Sequence, residues 1–264
     1  MGTTLRAVIP TLRGLARRIL AVRRTPTYYL PWLTRSGLDC TLILNNVEAR
    51  FLEGHRRGPF PVSAVQYDGD GSVVGRYDVR LADSTDTAEV RLTPTGRGHG
   101  FATVDVSHIH SDLYVLLSDG TTYTATHGRQ EFIERYPAWT RLVMGALGAI
   151  LALGGRTIPA FVRHQYAYAG AESRSHLLLL NLSNVTNRIR VTVAGDRAGP
   201  PRSRLVRVAP MGAHLLDAGV FADPTGAVPL ARHLTLRGNA WFNLYLVGAG
   251  TRDLAGPLSL MHVK

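Results

Sequence analysis

Short runs of β-favouring residues recur at intervals of about ten residues from Leu38 onward, each closed by turn residues, a rhythm that admits few folds besides an antiparallel sandwich or barrel. The first series falls at 40–44, 62–67, 76–81, 88–92, 102–106, 113–117 and 123–126. Asp68-Gly69-Asp70-Gly71 and Ser118-Asp119-Gly120 are its clearest turns. A second series falls at 177–182, 188–193, 204–208, 214–217, 233–236, 241–247 and 258–263. The two can be overlaid. Leu42-Ile43-Leu44-Asn45 falls on Leu178-Leu179-Leu180-Asn181, and the strand at Val62 on the strand at Ile189. Asp78-Val79-Arg80-Leu81 falls on Leu205-Val206-Arg207-Val208, and Tyr114 and Tyr123 lie in strands that match those of Asn243 and Leu258. Identity is low, but order and spacing hold. The expectation is a mainly β chain of two tandem antiparallel β-sandwich domains, at 38–130 and 163–264. An N-terminal amphipathic helix within 1–37 and a helical apolar linker over 131–162 complete it.

The first 38 residues contain no acid but seven arginines, out of a net charge of +11 for the chain; the remainder is close to balanced. Leu5, Val8, Ile9, Leu12, Leu15, Ala16, Ile19 and Leu20 recur at helical spacing, with Arg6, Arg13, Arg17 and Arg24 leaning to the other face. Thr25-Pro26 ends this helix, and Tyr28, Tyr29 and Trp32 follow at once. A basic helix with Tyr and Trp beside it is the pattern of an interfacial membrane segment. The expected membrane or partner contacts are Arg6, Leu12, Arg13, Leu15, Arg17, Arg18, Ile19, Arg24, Tyr28, Tyr29 and Trp32, joined by Trp139. Packing of the helix on the protein's own core, or in the groove of a soluble partner, are the alternatives. Arginine recurs too often for the apolar core of a secretory signal, so a cytoplasmic protein, peripheral at the inner membrane face, is expected.

Residues 142–155, LVMGALGAILALGG, form a second apolar segment between Arg141 and Arg156. As a helix it spans roughly 21 Å, short of a hydrocarbon core of about 30 Å. A buried or interfacial helix is expected rather than a membrane span.

An apolar run ending in Asn (Leu42-Ile43-Leu44-Asn45), then Ser63-Ala64-Val65-Gln66-Tyr67-Asp68, then Val74-Gly75-Arg76-Tyr77-Asp78-Val79 resembles the sensory rhodopsin transducer family. Ser111-Asp112-Leu113-Tyr114-Val115 is similar to a later strand of that family. The resemblance implies small cytoplasmic β-sandwiches that assemble as oligomers and associate with a membrane photoreceptor. It covers about ninety residues of each half, a length within the range for a small sandwich. The chain departs from that pattern in having two copies, an insertion at 54–61 and helices. Neither the family's partner nor its site residues carry over.

Catalytic patterns are sparse. Cys40 is the only cysteine, which excludes an internal disulfide and a cysteine-based zinc site. His108 and His110 lie two apart, as strand ligands would, with His99 and His127 as possible companions, but no carboxylate completes a ligand motif. Gly96-Arg97-Gly98-His99-Gly100 lacks the lysine and helix of a phosphate loop. No enzyme, cofactor or metal site is expected. The reading is a non-catalytic structural or adaptor protein, docked on a membrane protein complex and anionic lipid, with homo-oligomers possible. The alternative is a soluble glycan- or nucleic-acid-binding module using Tyr28, Tyr29, Trp32, Tyr166, Tyr168 and Trp241 for stacking. Nucleic acid is disfavoured because the basic charge gathers on a helix rather than across a sheet face.

Overall fold

Phe60, Val62, Ala64 and Gln66 are buried along β3 (Phe60–Asp68), and the residues between them are more exposed: the alternation of a strand with one face on a core. The computed structural model describes residues 22–34, 37–52, 58–105, 107, 109–169, 174–193, 202–221, 230–249, 254 and 258–262. Within them β3 is second in a five-stranded antiparallel sheet ordered β4 (Val73–Leu81), β3, β6 (His99–Val104), β1 (Arg23–Leu33), β9 (Arg129–Arg135). Against it packs a four-stranded sheet, β5 (Thr87–Arg91), β2 (Asp39–Asn45), β7 (Tyr114–Ser118), β8 (Tyr123–His127). Gln66 ties the two sheets together. Its carboxamide accepts from Tyr77 Oη at 2.7 Å and from Thr93 N at 3.0 Å, and donates to Thr93 O at 2.8 Å. Gln66 and Tyr77 are thus structural ties.

The second half repeats this plan for every strand but β9. β13 (Arg202–Val208), β12 (Asn187–Val193), β15 (Leu230–Gly238) and β10 (Phe161–Ala169) stand in the order of β4, β3, β6 and β1. β14 (Ala213–Asp217), β11 (Arg174–Asn181), β16 (Phe242–Ala249) and β17 (Leu258–His262) stand in the order of β5, β2, β7 and β8. One pairing, Ala169 with Arg174, joins these two groups into a single eight-stranded sheet. The overlay read from the sequence holds in register at one hairpin, where Val62 faces Val79 and Ile189 faces Val206. At β11 it slips by one. Leu42 and Leu44 face their own sandwich, but in β11 it is Leu177 and Leu179 that do so, while Leu178 and Leu180 join the first half's core. A one-residue slip exchanges the faces of a strand, and an unbroken leucine run hides it.

The two halves share that core. Tyr29 of β1 meets Tyr245 of β16 edge to face, centroids 6.1 Å apart. The β3–β4 turn abuts the turn before β14: Ala213 N donates to Gly69 O at 3.1 Å. Gly71 there has φ +87°, and a side chain on it would strike Pro210 O. Near the end of β9, Glu134 N donates to Leu182 O and Asn184 N to Glu134 O, a short parallel bridge into the second half.

Two expectations are corrected. The helix expected to run to Arg24 cannot do so, because β1 begins at Arg23; residues 1–21 lie outside the described residues. Pro26 and Pro31 are tolerated in β1 because each has a paired strand on one side only, β9 and β6 respectively. The linker is helical only at α1 (Ala138–Leu153); residues 131–135 complete β9.

Truncating Tyr29 to Ala should open a cavity at the junction and cost about 3–5 kcal/mol, read from urea unfolding as one transition shifted for both halves. His99 and His214 lie at the same junction, their pKa values lowered chiefly by burial and further by mutual repulsion (for His214) and by Arg97 (for His99). Their folded forms are neutral, so their stability contribution is complete above the unfolded value of about 6.5 and is lost as pH falls through the folded values. The melting temperature should therefore drop on acidification below about pH 6.5, and His99→Gln should flatten that drop.

Candidate functional site

Between the two repeats sits α1, rich in Ala and Leu and begun by Pro137. Its inner side carries Thr140, Met144 and Gly148. Thr140 and Gly148 are buried, Gly148 pressing on the Arg188 guanidinium of β12, and Met144 packs toward Tyr136, Val185 and Ala240. Thr157 Oγ1, just beyond the helix, donates to Arg188 O at 2.6 Å. The outer side holds Trp139, Leu142, Val143, Leu147, Ile150 and Leu153, all exposed, with Leu142 at 75%, Ile150 at 65% and Leu153 at 91%. At 3.6 residues per turn these fall within an arc of about 140°. An amphipathic helix of a globular protein turns that stripe inward; α1 turns it to solvent. Six large apolar side chains thus form one contiguous exposed patch rather than scattered exposure.

The sheet face beside α1 is basic. Outward positions on β12, β13 and β15 are Arg188, Arg190, Arg207 and Arg237, with Arg188 opposite Arg207 and Arg190 opposite Arg237. His164 and His233 stack at 5.2 Å on β10 and β15, and Tyr166 leans on His233. Like charges directly opposite on a sheet are destabilising unless an anion meets them. The balance beyond residue 38 holds only in sum. Residues 39–135 carry nine bases and fourteen acids, and residues 136–264 carry fourteen bases and five acids.

Behind α1 lies a cavity of about 460 Å³, walled by Val22, Met144, Ile158, Ala160 and Phe161. Its polar side is a hydrogen-bonded chain that runs from the half-exposed Arg24 to buried Glu134 and Tyr136. Arg24 donates through Nη2 at 2.7 Å and Nε at 3.1 Å to Glu134 Oε1, and Tyr136 Oη donates to Glu134 Oε2 at 2.6 Å. Glu134 is 3% exposed and the Arg24 side chain 47%. Burial first, then the Glu134 carboxylate, push the Tyr136 phenol well above its ordinary value, so it stays a donor. The Arg24 guanidinium also lies 5.9 Å from the Phe132 ring centroid.

Of the expected contact residues, Trp139 is exposed on α1 and Arg24 lies at the cavity. Arg6, Leu12, Arg13, Leu15, Arg17, Arg18 and Ile19 lie outside the described residues. Tyr28, Tyr29 and Trp32 are corrected: all three are buried, because β1 is covered on both faces. Tyr28 Oη donates to Asp112 at 2.6 Å and Trp32 Nε1 to Tyr67 O at 2.9 Å, so their polar atoms are engaged inside. Among the described residues no three His, Cys, Asp or Glu side chains gather as metal ligands; His108 lies outside them. Burial pushes the Cys40 thiol up to about 12, which keeps it protonated and unreactive at neutral pH. The Arg face was missed because its members are spread over three strands. Alternation within Asn187–Val193 was the available signal.

Removing either partner of the Arg24–Glu134 pair should destabilise the fold, Glu134→Ala less than Arg24→Ala, because only the latter leaves a buried carboxylate unpaired. The expected loss for Arg24→Ala is about 3 kcal/mol, and the double variant should lose less than the sum in a denaturation cycle. A scan against protein-family models finds no match, and no curated protein is significantly similar in sequence.

Proposed function

We propose that this is a non-catalytic adaptor that docks on an anionic membrane surface, or on a membrane protein complex within it, through α1 and the basic sheet face beside it. The outward apolar stripe of α1 carries the reading. Water gains nothing from six exposed apolar side chains, whereas a bilayer interface buries them. No helix among the described residues is long and apolar enough to cross a membrane. Arg190, Arg207 and Arg237 supply charge complementarity, each arginine near an anionic surface contributing about 1 kcal/mol. The arginines of the first 24 residues add to the same attraction. A cytoplasmic location belongs to the proposal, and a photoreceptor or energy-converting assembly as the partner complex is offered by analogy alone.

One observation favours a second reading. A sheet face of arginines, stacked histidines and Tyr166 suits a polyanion such as nucleic acid or an acidic glycan. The two readings part on one pair of variants. Leu142→Glu with Ile150→Glu should lower sedimentation with phosphatidylserine-containing vesicles at least tenfold, about 1.4 kcal/mol or more, with the melting temperature unchanged. Unchanged sedimentation of that variant would defeat the membrane reading. Loss of oligonucleotide or glycan binding on Arg190→Ala with Arg237→Ala, in a protein that ignores vesicles, would establish the second.

A further inference from the structure

We propose that the cavity behind α1 binds a single acyl chain carrying an anionic head group, with Arg24 as the head-group contact. The ligand class rests on the membrane reading; the site itself is argued from its walls. A volume of about 460 Å³ lies in the range of small-molecule sites. The polar groups that line it are already engaged with protein. Arg24 Nε and Nη2 meet Glu134, both Glu134 oxygens accept, and Tyr136 Oη donates. Asn239 donates to Thr186 O at 3.1 Å and accepts from Arg188 N. A sugar or nucleotide would find no ready partners there and would lose its hydration. An apolar chain loses nothing and gains Val22, Met144, Ile158 and Phe161 as walls. The Arg24–Glu134 pair is neutral overall, so the one feature left for a polar head is the exposed edge of the guanidinium, at 47% exposure.

Position supports the same ligand. Met144 reaches the cavity from the inner side of α1, and the apolar stripe occupies the outer side of the same helix. A chain leaving a bilayer held against that stripe therefore has only the thickness of one helix, about 10 Å, to travel. Met144 is an adaptable wall, able to fit chains of differing kink.

The test uses the full chain in detergent-free buffer, titrated with cis-parinaric acid, whose fluorescence rises in apolar sites. Saturable binding at one probe per chain is expected, with the probe's methyl ester binding about tenfold more weakly for want of a charged head. Ala160→Trp, which fills the mouth from an exposed position, should weaken the acid at least tenfold while far-ultraviolet circular dichroism and the melting temperature stay unchanged. Displacement by palmitate alone assigns the source as free fatty acid; displacement by lysophosphatidylserine as well assigns it as membrane lipid. Absence of saturable binding, or Ala160→Trp binding like the parent, would overturn the proposal. So would binding that emerges only when residues 1–21 are removed, since the cavity would then seat this chain's own N-terminal segment. The Leu142→Glu, Ile150→Glu variant should still bind the probe, and Ala160→Trp should still sediment with vesicles, so failure of the cavity and failure of the docking surface are read separately.

Discussion

The layer formed by β14, β11, β16 and β17 is apolar on both faces, and the remainder of the chain is arranged to keep water from both. Leu177, Leu179, Phe242 and Leu244 fill the second sandwich, while Leu178, Leu180, Tyr245 and Val247 project the other way. A sheet with two apolar faces needs two covers. The second half supplies one, and the first half, through Tyr29 and its neighbours, supplies the other. The repeats are therefore stacked rather than strung, and the second cannot be cut away without exposing a leucine-lined surface.

Stacking also explains what lies between the copies. β9 has no counterpart in the second half. It pairs along β1, hands its backbone to Leu182 and Asn184 across the junction, and places Glu134 where only Arg24 and Tyr136 can satisfy it. The chain then emerges as α1, whose inner side is committed to Arg188 and to the cavity wall. Among the described residues nothing covers its outer side, and the proposed docking surface rests on that.

Much of this was legible from residue order alone. Strand alternation and the Asp-Gly turns marked both series, and the Val62 and Ile189 hairpins matched in register because each alternates cleanly. Legibility failed where burial is two-sided. Leu177-Leu178-Leu179-Leu180 has no alternation to read, so its face was assigned one residue out. Tyr28, Tyr29 and Trp32 look the same to composition whether they lie in a membrane interface or in a doubly covered strand, and only pairing to β6 and β9 separates the two. The 142–155 run was recognisable as a short interfacial or buried helix, but its outward face depends on what Gly148 and Thr140 pack against, a tertiary fact. The basic sheet face was hidden by summing charge over both halves.

That division of charge is uneven on the scale of whole domains: β2 to β9 carry more acids than bases, β1 adds Arg23 and Arg24 to the first copy, and the second copy is rich in arginine. A negatively charged plane exerts a torque on such a body as well as a pull, felt at distances near the Debye length of about 8 Å at physiological salt. Approach is then oriented before any side chain touches. Under the proposed docking, the arginine-rich copy would turn toward the plane and the first sandwich would point away from it.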